Sequence, residues 1–298
     1  MWNLRIKLKD RILFNCIAYP LMAFLAVMCL LPFIIIISSS FTNEQSIIQD
    51  GFNIIPRVFS VSAYATLLKS PGEIVRAYGI SVYATLVGGM LGLFITAMTA
   101  YVLSRKSFPW RNSFSFFFYF TTLFSGGLVP WYILCVQYLG FKSYPLVAIV
   151  APYLLNVFYI LIMKTFMKSI PDAVIESAKI DGAGDFLIFI RLILPLSRPA
   201  LATVGLFIAI GYWNDWYLCF MFVDDYNYFS LQYYLFKMIS AMEGIQRIAS
   251  QTNITVSDLP KESFKMAMTV VATGPIILLY PFVQRYFVKG ITIGAVKG

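Results

Sequence analysis

Between Arg11 and Glu44 the chain carries no charged side chain, and five further stretches are almost as apolar. A helix needs about 20 predominantly apolar residues to cross the hydrocarbon core of a bilayer. Six runs reach that length, at about residues 12–38, 78–103, 113–134, 145–168, 198–222 and 266–288. They predict an all-α integral membrane protein with six transmembrane helices, organised as a single domain over residues 1–298. Composition points the same way. Of 298 residues, 59% are apolar and 12% charged, whereas soluble domains average about 25% charged. That surplus of apolar surface excludes a soluble domain.

The first run follows Arg5, Lys7, Lys9 and Arg11, as the core of a signal peptide would. It is longer than the roughly 7–15 residues of such a core, and no small-x-small cleavage site follows. It reads as an uncleaved anchor. Pro20, Pro32, Pro152, Pro275 and Pro281 predict kinks inside spans, because each removes a backbone donor. Gly88 and Gly92 form a GxxxG pair that admits close approach of another helix, within the chain or across a dimer.

Several chemistries are closed to this chain. It has no histidine, which removes HExxH zinc sites and histidine-based triads. Cys16, Cys29, Cys135 and Cys219 are isolated in apolar runs and read as small hydrophobes, not as a disulfide or metal framework. No metal site and no catalytic residue is expected. The net charge of +9 is not gathered into a basic patch with interleaved aromatics, so nucleic acid is not the partner. Loops that retain Lys and Arg on the cytoplasmic side account for it. With the N-terminus inside, 15 of the 23 Lys and Arg residues fall on the inner side, which gives an N-in, C-in topology.

The loops are unequal. Two outer loops, roughly 39–77 and 223–265, are long, and so is one inner loop, roughly 169–197. Inner turns are usually short, so the inner loop is expected to carry a function. Ser169 and Asp172 spell a capping box, with Pro171 in the first turn. A helix can run from there to Asp181 and close at Gly182. Val174 and Ala178, with Ala173 and Ile180, give it a small apolar face, while Glu176 and Lys179 lie on other sides. A second short helix opens at Asp185 and ends before Pro195. Such a helix–glycine–helix element is too polar in its first half to be buried in lipid and suits a groove on a soluble partner.

Glu176-Ser177-Ala178, then Gly182, then nine residues to Leu192-Ile193-Leu194-Pro195, resembles the EAA loop of membrane subunits in ATP-binding-cassette importers. The pattern departs at Ser177, usually Ala, and at Leu192, usually Ile. Asp181-Gly182-Ala183 is similar to the version found among sugar importers. The tail from Val288 to Gly298 is similar to that of maltose-type G permeases. Trp213-Asn214-Asp215 resembles the WN-acidic element of carbohydrate permeases, and the 125–130 segment SGGLVP that of the complex-polysaccharide branch.

The resemblance implies a type I importer permease in a bacterial cytoplasmic membrane. It would pair with a second permease as a heterodimer, sit on two ATPase subunits and receive an oligosaccharide from an extracytoplasmic binding protein. It also implies that Glu176, Ser177, Ala178, Asp181, Gly182, Ala183, Leu194 and Pro195 form the ATPase-coupling surface. There Glu176 would meet a basic group, and Ala178 and Ala183 would keep the surface flat. The chain has no GxxxxGK[ST], so it needs no cofactor of its own; ATP and magnesium belong to the ATPases.

A sugar path needs aromatic faces and polar groups between spans. Tyr212, Trp213, Asn214, Asp215 and Trp216 supply both, and Asp215 is an ionisable group inside a span. The same aromatics would also suit the membrane interface. Phe52 to Tyr64 and Tyr226 to Tyr234, in the outer loops, are candidates for docking the binding protein. Two other readings compete. Gly182-Ala183-Gly184-Asp185 spells the GxGD motif of intramembrane aspartyl proteases, which needs two facing carboxylates at membrane depth; Asp185 lies in the inner loop, while Asp215 is expected near the opposite face. An ATP-independent secondary transporter or channel is the other alternative. It would need intramembrane charges beyond Asp215, and the absence of an internal repeat gives a repeat-built transporter no support.

Overall fold

A computed structural model describes residues 2–252 and 261–277. The described chain is almost entirely helical and divides into two compact units, one of residues 2–71 with 239–252 and 261–274, the other of residues 72–238 with 275–277. The last part of the sixth expected span, Pro281 and the 288–298 tail lie outside the described residues.

The first unit is led by the helix Trp2–Ser40, which runs through Pro20 and Pro32 without a break. The expected anchor is thus one long helix. Most of its described apolar side chains are exposed, Phe24 and Leu30 among them. Short helices follow at Glu44–Asp50 and Ser62–Leu67. Glu44 accepts hydrogen bonds from the backbone of Glu262 and Ser263 at 2.8 and 2.9 Å and from the Ser263 hydroxyl at 2.7 Å. A carboxylate set against the free N–H groups of a starting helix is a favourable arrangement.

The second unit is built on a long helix, Pro71–Ser104, whose residues 84–88 form a π-turn. It packs against Val157–Met167 and Arg198–Trp213. Their shared core holds Ala97, Ala100, Tyr101, Met163, Met167, Val204 and Tyr212. The GxxxG pair serves this packing. A Cβ on Gly88 would lie 2.5 Å from Tyr212 Cζ, and one on Gly92 would lie 3.4 Å from the Leu154 carbonyl oxygen.

Three expected spans are interrupted in the structure. Arg111–Leu123 and Leu128–Tyr138 meet at 114°, with Gly127 at φ +86° between them. Pro145–Tyr153 and Val157–Met167 meet at 50°, just after Pro152. The 198–222 run ends its first helix at Trp213, and a second short helix occupies Tyr217–Phe222. Each break has a local cause. The Ser125 hydroxyl accepts the Gly127 N–H at 3.2 Å, Asn156 accepts the Phe158 N–H at 3.0 Å, and Asp215 accepts the Leu218 N–H at 3.1 Å. Asn156 is the N-cap of the helix that follows it, Asp215 bonds into the first turn of the next helix, and Ser125 closes a local turn; such side chains compete for backbone groups, and hydropathy averages over them.

Candidate functional site: the 169–197 loop

The loop forms two short helical arms. The first runs Asp172–Ile180, with Asp181 at its C-cap. Gly182 follows at φ +82°, a conformation that side-chain-bearing residues rarely adopt. Its N–H bonds to the Lys179 carbonyl at 3.0 Å, and the Ala183 N–H bonds to the Ala178 carbonyl at 2.9 Å. This paired closure is a Schellman cap, as the glycine led one to expect. The start of the helix departs from expectation. Ser169 donates its hydroxyl to the Phe166 carbonyl at 2.7 Å, so it finishes the preceding helix and caps nothing ahead of it.

The second arm also corrects the sequence reading. It begins at Asp185, widens into a π-turn over Phe189–Ile193 and continues through Pro195 to Leu196. The Leu194 N–H reaches back five residues to the Phe189 carbonyl. Pro195 has no N–H to place in the ladder and its ring crowds the preceding turn, so a wider turn ahead of it lets the helix pass through. A bend of 85° then leads into Arg198–Trp213. Lys179 and Asp185 join the two arms at 2.9 Å.

The loop has an inward and an outward face. Ile175, Ile188, Phe189 and Ile193 are buried in the same core as the membrane helices. Ala178, Ala183 and Leu194 pack partly against that core. The two alanines are thus half-buried, each partly covered by the protein's own core, and Ile175 is the anchor that the sequence reading missed. The outward face carries Glu176, Ser177, Asp181 and Gly182, all exposed, with Pro195 at the far end. It also carries apolar groups that water does not favour. Ile180 is 86% exposed and Phe186 66%. Among the described residues, Glu176 forms no ion pair within the chain.

Arg105, at the C-cap of the 71–104 helix, was counted in sequence only as one more inner charge. The fold makes it a clamp. It is 8% exposed, donates to the Met167 carbonyl at 3.2 Å and to Ser104 Oγ at 3.1 Å, and lies 5.2 Å from the Tyr101 ring. Its guanidinium is 3.8 Å from Asp172, which Lys106 also holds at 2.8 Å. Two membrane helices and the first loop helix are thereby tied together. Lys106 first, then Arg105, holds the Asp172 carboxyl below the usual carboxylate range. A depressed carboxyl contributes stability above its unfolded pKa and loses it only as pH falls through the folded one. The contribution of the Asp172 carboxylate to the clamp is thus lost only as pH falls through that lowered value. Arg105→Ala should lower folded-state stability by about 2 kcal/mol, because charge-assisted bonds are lost while the exposed ion pair contributes little. Arg105→Lys should recover part of it. Thermal unfolding of the purified protein reads both; equal midpoints for Arg105→Ala and wild type would remove the clamp.

The candidate path residues separate in the same way. Tyr212 is buried and donates to the Val150 carbonyl at 2.7 Å. Trp213 is buried with its ring 6.2 Å from that of Tyr78. Asn214 is exposed. Asp215 is half-buried, caps the 217–222 helix and offers its backbone carbonyl to Ser230 at 3.0 Å. Trp216 is exposed and stacks on Phe236 at 4.9 Å. Cys135 and Cys219 are buried as expected, whereas Cys16 and Cys29 are exposed; all four are free thiols.

Residues 88–293 match the family model described as the inner membrane component of binding-protein-dependent transport systems. The chain belongs to that family. The permease is 37% identical over 292 residues to the polygalacturonan/rhamnogalacturonan transport system permease protein YtcP of Bacillus subtilis strain 168, covering 98% of this chain and 100% of that one. It is 36% identical to protein LplC of the same organism, covering 90% of each. Among solved structures, a chain of a bacterial ABC transporter involved in import of the acidic polysaccharide alginate superposes with a TM-score of 0.76 at 28% identity, covering 94% of the permease and 98% of that chain. The permease therefore has the ABC importer permease fold with membrane-spanning helices, and its family is one of transport subunits.

Proposed function

We propose that this permease forms half of an oligosaccharide path through the bacterial cytoplasmic membrane, driven by ATP hydrolysed on partner subunits. The observation that carries the reading is the two-faced 169–197 loop, locked inward to the membrane helices and outward bearing an unpaired Glu176 beside exposed Ile180 and Phe186. Such a surface suits a cleft in a soluble ATPase, with Glu176 against a basic group. Closure of two ATPases would shift the population between inward- and outward-facing states.

The fuller assembly is a heterodimer with a second permease, two ATPases that bind ATP and magnesium, and an extracytoplasmic binding protein. Six spans with both termini inside remain the topology we adopt, the bent pairs each counting as one crossing. Asn214, Asp215 and Trp216 are better placed than Tyr212 and Trp213 to meet sugar, because the latter two are committed to packing. The names of YtcP and of the alginate importer both denote polysaccharides built with acidic sugars, so uronate oligosaccharides are the first substrates to try.

Isolation from native membranes in mild detergent should bring down a second permease and an ATPase. The isolated complex in liposomes should then accumulate oligosaccharide only with ATP inside the vesicle, where the ATPases face, and the binding protein outside. A chain that emerges alone and moves solute without ATP would replace this reading with a channel or secondary transporter.

A further inference from the structure

A cavity of about 460 Å³ lies where three membrane helices end, and its lining includes none of the candidate path residues Tyr212 to Trp216. That is within the range of small-molecule sites, roughly 300–1,000 Å³. Five cations line it, Arg105, Lys106, Arg111, Lys164 and Lys168, against a single carboxylate, Asp172. Asp172 is already held by Lys106 and Arg105. Among the described residues no carboxylate forms an ion pair with Arg111, Lys164 or Lys168. Lys164 donates to Ser115 Oγ at 2.6 Å, which fixes it at the rim without neutralising it.

Two apolar grooves adjoin this basic cavity. One, of about 330 Å³, shares Leu103 with it and lies between Val102 and Phe118. The other, of about 560 Å³, shares Ser169 with it and follows Phe158, Ile162 and Phe166 along the 157–167 helix. The polar volume thus sits at the helix ends, where headgroups lie, and the apolar volumes run along the helices, where acyl chains lie.

We propose that the cavity and its two grooves bind one anionic diacyl phospholipid, its phosphate among Arg111, Lys164 and Lys168 and one acyl chain in each groove. Unpaired Lys and Arg at the end of membrane helices attract an anionic headgroup, and phosphate oxygens accept charge-assisted bonds from both residue types. A soluble phosphate compound would satisfy the cations and leave both grooves without an occupant. So would an acidic segment of a partner protein. The site requires only that these helices span the membrane and does not depend on the transported substrate.

The test uses the intact complex, purified in mild detergent and exposed to equal amounts of phosphatidylglycerol and phosphatidylcholine with identical acyl chains. Native mass spectrometry reads the lipid retained. Phosphatidylglycerol should be retained in preference. Arg111→Gln with Lys168→Gln should weaken that retention roughly 30-fold, at about fivefold per cation, with an unchanged unfolding midpoint. Val102→Trp, which fills one groove, should reduce diacyl phosphatidylglycerol and spare its single-chain form. Equal retention of the two headgroups would overturn the site, and so would binding of inorganic phosphate or glycerophosphoglycerol as tight as the lipid. A double variant that keeps its phosphatidylglycerol but sheds the ATPase would assign the cations to a protein partner instead. Should a variant fail to fold, the headgroup and chain-number comparisons on the wild-type complex decide alone.

Discussion

Glu176→Ala should leave the assembled importer folded and its ATPase turning over, while uptake falls by about a hundredfold or more. Glu176 stands on the outward face of the 172–180 helix, and its removal disturbs no contact within the chain among the described residues. The loss arises on the other side of the interface. A basic group buried against the loop would be left without its mate, at roughly 3–5 kcal/mol for a buried pair broken on one side. That exceeds what is needed to move a two-state equilibrium by two orders of magnitude. Parallel assays of ATP hydrolysis and sugar uptake in liposomes separate uncoupling from simple loss of assembly. Wild-type uptake in the variant would remove Glu176 from the coupling surface. Glu176→Gln should retain more uptake than Glu176→Ala, because the amide still accepts a hydrogen bond.

Gly88→Val should be the most damaging single substitution within the membrane helices. A Cβ at position 88 would lie 2.5 Å from Tyr212 Cζ and 2.7 Å from both Cε atoms. The ring cannot easily yield, since it is 2% exposed and its hydroxyl is bonded to the Val150 carbonyl. Overpacking of this kind costs about 1–3 kcal/mol, and a fixed aromatic ring puts Gly88→Val at the upper end. The yield of folded complex and its unfolding midpoint are the readouts. Adding Tyr212→Leu should restore part of the loss, because it removes the ring atoms at fault. Stability equal to wild type in Gly88→Val would show that the two helices do not meet there.

The chemistry of the loop was more legible in the sequence than its orientation. Gly182 announced a left-handed turn, because little else fits there, and the turn is present. Which side of the 172–180 helix faces inward was not legible, since Val174 and Ile175 are both apolar and only packing selects Ile175. Ser169 could cap forward or bond backward. Local competition between those two bonds is nearly even, and the end of the preceding helix takes it. Arg105 was hidden for a different reason: a rule that counts basic residues by side treats a buried clamp and a solvated lysine alike. The breaks in the apolar runs could have been anticipated. Gly127, Asn156 and Asp215 all interrupt hydrophobic sequence with groups that compete for backbone hydrogen bonds. GxxxG announced a close approach, but not that the neighbour would be a tyrosine ring of the same chain.

The inward face of the loop also has a mechanical meaning. Ile175 on one arm and Ile188, Phe189 and Ile193 on the other are embedded in the core that holds Ala100, Met167 and Val204. Close-packed interiors have low compressibility, and the arms are themselves braced by Lys179 and Asp185. The loop therefore has little slack. If the loop couples as proposed above, a displacement applied at Ile180 or Phe186 would be passed through these buried side chains to the ends of the membrane helices. In that sense the segment behaves as a short stiff lever whose fulcrum is the protein's own core.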